Sequence, residues 1–224
     1  MPVDISTLPI LGGHPALDLV NTVTPRVPAR GWEPHDHVVD PAALLLWSRR
    51  AGVVDESESR RASRAWRSEP GAAAAALAAA RDVREALHVV LLDAADLAPQ
   101  SPGAGSAALA RLHALWTTAL GRSTSVLDRS AAHPVGLAVG LAPASLIPDR
   151  LAVAAMDLLH TADLSRLRRC PPDEGGCGWI VLDHSRNGSR RWCRMADCGA
   201  EVKARRLTER RRAARSTRTT NPTS

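Results

Sequence analysis

The chain has 224 residues, enough for one large domain or for a medium-sized domain and a small one. Apolar residues make up 45% of it, but Phe and Tyr are absent and six tryptophans supply the aromatic rings, so a core of Leu, Val and Ala favours helices over sheets. No positive segment precedes an apolar run at the N-terminus, and the Ala-rich run at 71–80 is too short to cross a bilayer. We therefore expect a cytoplasmic protein with reduced thiols and no membrane partner.

The net charge of +6 is unevenly distributed along the chain. Residues 165–224 hold fifteen Lys or Arg against six Asp or Glu, whereas the preceding residues hold fourteen against seventeen. A mildly acidic body with a basic C-terminal module predicts that the module meets phosphates. The alternative is a solvated basic tail that only aids solubility.

Start signals and apolar spacing predict a helical N-terminal domain over residues 1–164. His14-Pro15 and Asp40-Pro41 each place a proline in the first turn of a helix, and Asp40 is expected to cap the second of these helices. The expected helices begin at these two points, cover 55–67, 72–98 and 106–120, and continue with one from Pro148 and a short one between 161 and 169. Residues 25–39 are expected to form a loop, and 123–128 with 135–141 a small β-hairpin.

Polar side chains near the N-terminus are candidates for a ligand site. His14, Asp18 and Asn21 are spaced by four and three residues, which places them near one helix face. With Arg84 from the long helix, they are our candidates for binding an unknown small-molecule effector. The alternative is a network that caps the helix and satisfies buried polar groups.

Motifs for catalysis are absent from the sequence. It contains no Gly-x-Ser-x-Gly, phosphate-binding loop or Gly-x-Gly-x-x-Gly pattern. His35-Asp36-His37 has the residue types of metal ligands, but it lies in the expected loop without a partner at ligand spacing, so a plain loop is the preferred interpretation. We do not expect an enzyme and assign no catalytic residue.

All four cysteines of the chain lie in one short window near its C-terminal end, at Cys170, Cys177, Cys193 and Cys198. Two pairs of thiols in a reduced compartment favour a structural zinc site over disulfides. The first pair is separated by six residues, which is wider than the usual two to four.

The segments around these cysteines predict a small treble-clef-like zinc finger over 165–212. Trp179–Leu182 indicates a strand, Asn187-Gly188 a turn, and 190–192 the returning strand. Asp197 is expected to cap the helix that follows, and 213–224 to form a disordered basic tail. The predicted fold class is therefore mainly α (α+β), with a helical N-terminal domain, a small β-hairpin and this finger.

Cations around the second cysteine pair are the candidates for nucleic-acid binding. These residues are Arg190, Arg191, Arg194, Lys203, Arg205 and Arg206. The alternative role for the first three is to offset the formal charge of −2 on a zinc centre with four thiolates. On a helical wheel the cations surround the helix, which is not the arrangement expected for one major-groove face.

The run from Cys170 to Gly199 resembles the CGNR zinc finger family, which pairs this finger with an N-terminal ABATE domain. The matching residues are Trp179, Asp183, Ser185, Arg190 to Cys193, Met195, Cys198, Gly199 and Lys203 in the finger, with Leu17 to Thr22 and Leu45 to Trp47 in the ABATE part. The resemblance implies a role in stress-induced transcription regulation. One departure is that Ala200-Glu201 replaces the Asn-Arg of the family motif, so a DNA contact made by that pair does not carry over to this chain.

These observations lead to one hypothesis and two alternatives. The leading hypothesis is a bacterial-type, zinc-dependent transcriptional regulator that binds double-stranded DNA and senses a ligand or partner through its N-terminal domain, with a homodimer left open. The first alternative is a zinc-stabilised protein-interaction module, which Glu201 and the distribution of cations favour. The second is an enzyme acting on a small molecule in the N-terminal domain.

Overall fold

A computed structural model describes residues 4–28, 31–130 and 134–219, with side chains up to Arg212. Its helices are α1 (Pro15–Val20), α2 (Pro41–Arg50), α3 (Glu56–Ser68), α4 (Ala72–Ala94), α5 (Ala104–Gly121), α6 (Leu146–Thr161) and α7 (Ala200–Thr219). The strands pair as antiparallel ribbons, β1 (Val23–Thr24) with β2 (His35–Asp36), β3 (Thr124–Leu127) with β4 (Val135–Ala138), and β5 (Leu167–Arg169) with β6 (Ile180–Leu182). The predicted fold class, mainly helical with small hairpins, is confirmed.

Local sequence signals explain where the first helices begin. The His14 ring accepts a hydrogen bond from the Ala16 amide at 3.2 Å, and the Asp40 carboxylate accepts one from the Ala43 amide at 2.7 Å. Asp55 and Glu58 form a reciprocal capping box at the start of α3. Each cap satisfies amides that a helix leaves unpaired at its N-terminus, so these boundaries follow from sequence.

The main core lies where α1 packs against α4 and α6, and α5 also packs against both α4 and α6. It consists of aliphatic side chains and one fully buried indole, including Leu17, Trp47, Leu87, Leu112 and Leu151. The helices within the described residues include none that is both long and apolar enough to cross a membrane.

The finger and the N-terminal domain share this core. Leu167 from β5 and Ile180 from β6 are buried among the side chains of the helices. A second apolar cluster surrounds the cysteines, and Leu8 from the N-terminal segment belongs to it together with Trp179 and Val181. The predicted boundary at 164/165 therefore falls between two parts that are packed into each other.

Four local predictions need correction. β6 pairs with β5, which precedes Cys170, and not with 190–192, because the long loop between the first two cysteines serves as the hairpin connection. For the same reason the end of the expected helix at 161–169 is a strand. Helix α7 continues to Thr219, into the tail predicted to be disordered from 213, since Ala and Arg in that stretch favour a helix; residues 220–224 of that tail lie outside the described residues. His35 and Asp36 form β2 within the expected loop.

We expect a half-buried histidine of α4 to make the fold sensitive to acid. Burial, assisted by nearby Arg26, lowers the pKa of His88 to about 3. Because the unfolded chain takes up this proton near pH 6.5 and the folded chain does not, the contribution is complete above that pH and is lost as the pH falls towards 3. The loss amounts to about 1.4 kcal/mol at pH 5.5.

The measurement compares His88→Gln with the unchanged protein in denaturant unfolding at pH 7.5 and 5.5. The free energy of unfolding of the unchanged protein should fall further than that of the variant by this amount. Equal losses in the two proteins would show that His88 does not contribute to acid sensitivity.

Candidate metal centre and basic helix

The four cysteines converge on one point of the finger. Their sulfur atoms all lie within 4.8 Å of one another, with 3.5 Å between Cys177 and Cys193 and 3.7 Å between Cys193 and Cys198. These spacings exclude a disulfide, whose sulfurs are about 2.05 Å apart, and match the separation of about 3.8 Å between sulfurs that surround a zinc ion tetrahedrally at about 2.3 Å. The four-sulfur donor set is therefore able to hold a metal ion.

The closeness of the four thiols affects their ionisation and explains why this site suits a cation. Contact with Cys177 lowers the pKa of the Cys170 thiol, and contact with Cys170 raises the pKa of the Cys177 thiol. Four sulfurs this close repel one another when all are ionised, so the fully ionised set needs a bound positive charge.

Glycines close the wide loop between Cys170 and Cys177. The Gly176 amide donates to the Pro171 carbonyl at 2.7 Å, and the Gly178 amide donates to the Cys170 carbonyl at 3.1 Å. A Cβ on Gly176 would lie 2.7 Å from both the Cys170 sulfur and the Pro171 carbonyl oxygen. The loop accommodates six residues between the two cysteines because Gly176 and Gly178, which have no side chains, let it fold back against Cys170.

Replacing Gly176 with Ala should therefore weaken metal binding. The added methyl group pushes the Cys170 sulfur from its position, and displacement of this kind costs about 10- to 100-fold in metal affinity. Competition with a chromophoric chelator measures the change. Gly121→Ala is the matched control, because a Cβ at Gly121 meets no atom within 4 Å; equal affinities of the two variants would contradict the prediction.

The loop from Asp183 to Arg190 is arranged by one buried carboxylate. Asp183 accepts hydrogen bonds at 2.8 Å from the amides of Ser185 and Arg190, and hydrogen bonding by Ser185 lowers its pKa to about 2. The Arg190 guanidinium turns inward and donates to the carbonyls of Leu11 and Cys193. Arg190, predicted to contact nucleic acid, is thus engaged in tying the finger to the N-terminal segment.

The other predicted nucleic-acid-binding residues divide into two groups. Arg191, Arg205 and Arg206 contact Glu174 of the loop between the first two cysteines. Arg194 and Lys203 are exposed, and Arg194 lies 3.7 Å from Asp197. Beyond the buried Val202, every residue of α7 from Lys203 to Arg212 is exposed, and this stretch carries six cations and one acid.

The four residues predicted to bind an effector are held by different parts of the chain. His14 caps α1 and lies 3.6 Å from Asp157, while Asp18 accepts hydrogen bonds from the amides of Leu11 and Gly12. Burial raises the pKa of Asp18.

Arg84 and Asn21 complete this set. The Arg84 guanidinium forms a two-pronged contact with Asp36 at 2.7 and 2.8 Å. Asn21 donates to the Ile180 carbonyl at 2.8 Å and accepts from the Ile180 amide at 3.0 Å. The contacts of all four residues are those of the alternative considered above, a capping network that satisfies buried polar groups, with Asn21 holding the finger.

A cavity of about 120 Å³ lies between the N-terminal domain and the finger. It is lined by Thr24, Pro25, Trp32, Gly176, Cys177, Cys198 and Glu201. The Trp32 side chain is exposed and lines one wall, and Glu201 stands where the family motif has an arginine. The walls come from both parts of the chain, so its shape depends on how the two parts are packed.

Sequence reasoning missed the contacts of three residues, two of which position the finger against the N-terminal domain and one of which joins segments within the finger. The Trp179 indole donates to the Val23 carbonyl at 2.9 Å, and the Arg26 amide donates to the Cys177 carbonyl at 2.8 Å. Glu174 is the third. The match of Trp179 to the family motif was a signal for the first of them; the other two have none, because their partners are distant in sequence.

Comparison with known families matches both parts of the chain. The family model for the CGNR zinc finger matches residues 166–211. The model for ABATE, whose description is "Putative stress-induced transcription regulator", matches residues 13–169. The search of curated proteins found no match. The two matched ranges overlap at β5, the strand through which the finger enters the main core.

Proposed function

The chain belongs to the ABATE family and carries a CGNR zinc finger at its C-terminal end, and from this membership we propose that it regulates transcription by binding double-stranded DNA in a zinc-dependent manner. The observation that carries the proposal is the position of α7. This basic helix begins at Ala200, two residues after the fourth cysteine, and is exposed from Lys203 onward to Arg212. The proposal assigns no catalytic activity to the chain.

Zinc is the metal that this centre suits. Four thiolates in a closed, largely buried set are typical of structural zinc sites, and Cys170, Cys193 and Cys198 are buried. When bound, zinc supplies a structural cross-link between β5, the loop before β6 and the start of α7. This link would add stability to the finger, because the apolar cluster around the cysteines is small.

Phosphate contacts from α7 should dominate affinity for DNA. A helix that is polar all round and carries six cations in ten residues gains from neutralisation by phosphates, and each phosphate contact adds about 0.9 to the slope of log affinity against log salt. The cations lie around the helix, which supports contact with the backbone more than reading of bases.

Fluorescence anisotropy with a short duplex of random sequence, at about 50 to 200 mM salt, tests this proposal. Affinity should fall steeply with salt and disappear when zinc is chelated. Lys203→Gln and Arg194→Gln should each lower the salt slope by about 1. Binding that is unaffected by chelation and by both substitutions would refute the role of the finger and α7.

The cavity between the N-terminal domain and the finger, here called the junction cavity, is the site that best suits the proposed small-molecule effector. A molecule there would contact Trp32 and the finger at once and so would couple binding to the orientation of the finger. The volume suits a molecule of about six heavy atoms, since an apolar cavity of about 150 Å³ admits benzene. A thermal-shift screen of such molecules tests it, and a hit that binds Trp32→Ala equally well does not use this cavity.

A protein-interaction module is the second candidate function. It is favoured by Glu201 in the motif position and by the contacts of Glu174, which engage three of the predicted nucleic-acid-binding arginines. Binding to a protein partner would not depend steeply on salt, so repeating the binding measurement over the same range of salt separates DNA binding from protein binding. The homodimer stays a prediction, which sedimentation of the zinc-loaded protein tests.

A further inference from the structure

Glu174 stands among three arginines at the surface of the finger. Its carboxylate accepts a hydrogen bond from Arg206 at 2.7 Å and contacts the Arg191 guanidinium, while its backbone carbonyl accepts one from Arg205 at 2.6 Å. Arg191 comes from the loop before the third cysteine, and the other two arginines come from α7. One acidic residue therefore gathers cations from two separate segments.

The wide loop between Cys170 and Cys177 is shaped for this contact. Gly175 has a φ of +89° and donates its amide to the Pro172 carbonyl at 2.8 Å. A side chain on Gly175 would collide with the Arg205 guanidinium. The shortest zinc knuckle has two residues between its cysteines, and this loop has six. The four additional residues place Glu174 in contact with the arginines.

A carboxylate held by two guanidiniums has the same recognition chemistry as a phosphate, since arginine pairs with both through parallel hydrogen bonds. The side chains of Arg191 and Arg206 remain 55% and 52% exposed, whereas that of Glu174 is 21% exposed. An incoming anion can therefore reach the arginines from solvent and compete with the carboxylate for them.

Resting on the DNA-binding function proposed above, we infer that Arg191, Arg205 and Arg206 form one phosphate-binding subsite, and that Glu174 occupies it as an internal competitor which a DNA phosphate displaces. Glu174 thereby weakens binding to DNA in general and makes it depend on the cost of releasing the arginines. No covalent step is involved, because only ion pairs and hydrogen bonds are exchanged.

The test replaces Glu174 with Gln, which keeps the length of the side chain and one acceptor oxygen but removes the charge. Affinity for a short random duplex should rise about three- to tenfold, the range expected when one or two exposed ion pairs are no longer competing. The salt slope should also steepen by about 1, because the displaced Glu174 carboxylate of the unchanged protein takes up a counterion and the amide that replaces it in the variant does not. Glu174→Ala is the second variant, and zinc content and thermal unfolding establish that each variant is folded.

Glu69→Gln is the matched control. Glu69 is exposed at the C-terminal end of α3, outside the finger, and the substitution changes the net charge by the same amount. An increase in DNA affinity that is confined to the Glu174 variants supports the inference. This holds even if the unchanged protein binds DNA too weakly to measure. An equal increase in the control would overturn it, because net charge alone would then explain the effect.

Three further outcomes overturn the inference. Unchanged affinity and slope in the Glu174 variants, beside zinc-dependent binding by the unchanged protein, would reject the competitor role and leave the proposed function intact. Weaker binding by folded, zinc-loaded variants would show that Glu174 organises the arginines for DNA. Absence of binding in every protein would reject the proposed function together with the inference.

Discussion

Replacing Cys193 and Cys198 together with Ser should abolish metal binding and unfold the finger. Structural zinc contributes about 10–16 kcal/mol of apparent binding free energy at neutral pH, and two of four thiolates cannot retain it. Because Leu167 and Ile180 also belong to the main core, we expect the thermal midpoint of the whole chain to fall, and not only that of the finger. DNA affinity should fall with it.

Metal content by mass spectrometry and thermal unfolding measure the effect. The unchanged protein, treated with a chelator and then resupplied with zinc, is the control: it should recover its midpoint and its DNA affinity, whereas the variant should not respond to zinc. A variant that retains one metal ion per chain would show that the four-cysteine cluster is not the metal centre.

Replacing Asn21 with Ala should be the most damaging change outside the metal centre. Asn21 is 1% exposed, and its amide satisfies both the N–H and the carbonyl of Ile180. The substitution leaves two buried backbone groups without partners and opens a small cavity, at a cost of about 3 kcal/mol in the free energy of unfolding. Because Ile180 lies in β6, amide hydrogen exchange should increase in that strand first.

Two controls accompany this variant. Asn21→Asp keeps the acceptor for the Ile180 amide but loses the donor to the Ile180 carbonyl, and it should also be destabilised. Asn187→Ala changes the same residue type at an exposed turn and should alter the free energy of unfolding little. If Asn21→Ala is as stable as Asn187→Ala, the amide of Asn21 does not hold the finger to the N-terminal domain.

The substitutions of the cysteines and of Asn21 disturb two different sets of contacts. The cysteines hold the finger together internally, and Asn21 holds it against the helices. Trp179 and Arg26 reinforce the second set through their hydrogen bonds to Val23 and to the Cys177 carbonyl. These contacts join the N-terminal domain to the finger, so under the function proposed above a signal received by the N-terminal domain would reach the finger through them.

Much of this protein is determined by its sequence alone. Caps such as His14 and Asp40 and the spacing of apolar residues predict the helices, because these signals act over four residues or fewer. The four cysteines predict one metal centre, because no other cysteine competes for a partner and a finger this small needs a cross-link.

Only the tertiary structure decided which polar residues are available for function. Asn21 and Ile180 are 159 positions apart, and Glu174 and Arg206 are 32 positions apart, so no local pattern joins them. The same residue types, amide or guanidinium, serve as well for packing as for binding, and their role depends on which partner the fold brings within hydrogen-bond distance. That choice assigned Asn21 and Arg190 to the junction, and it placed Arg191, Arg205 and Arg206 around Glu174.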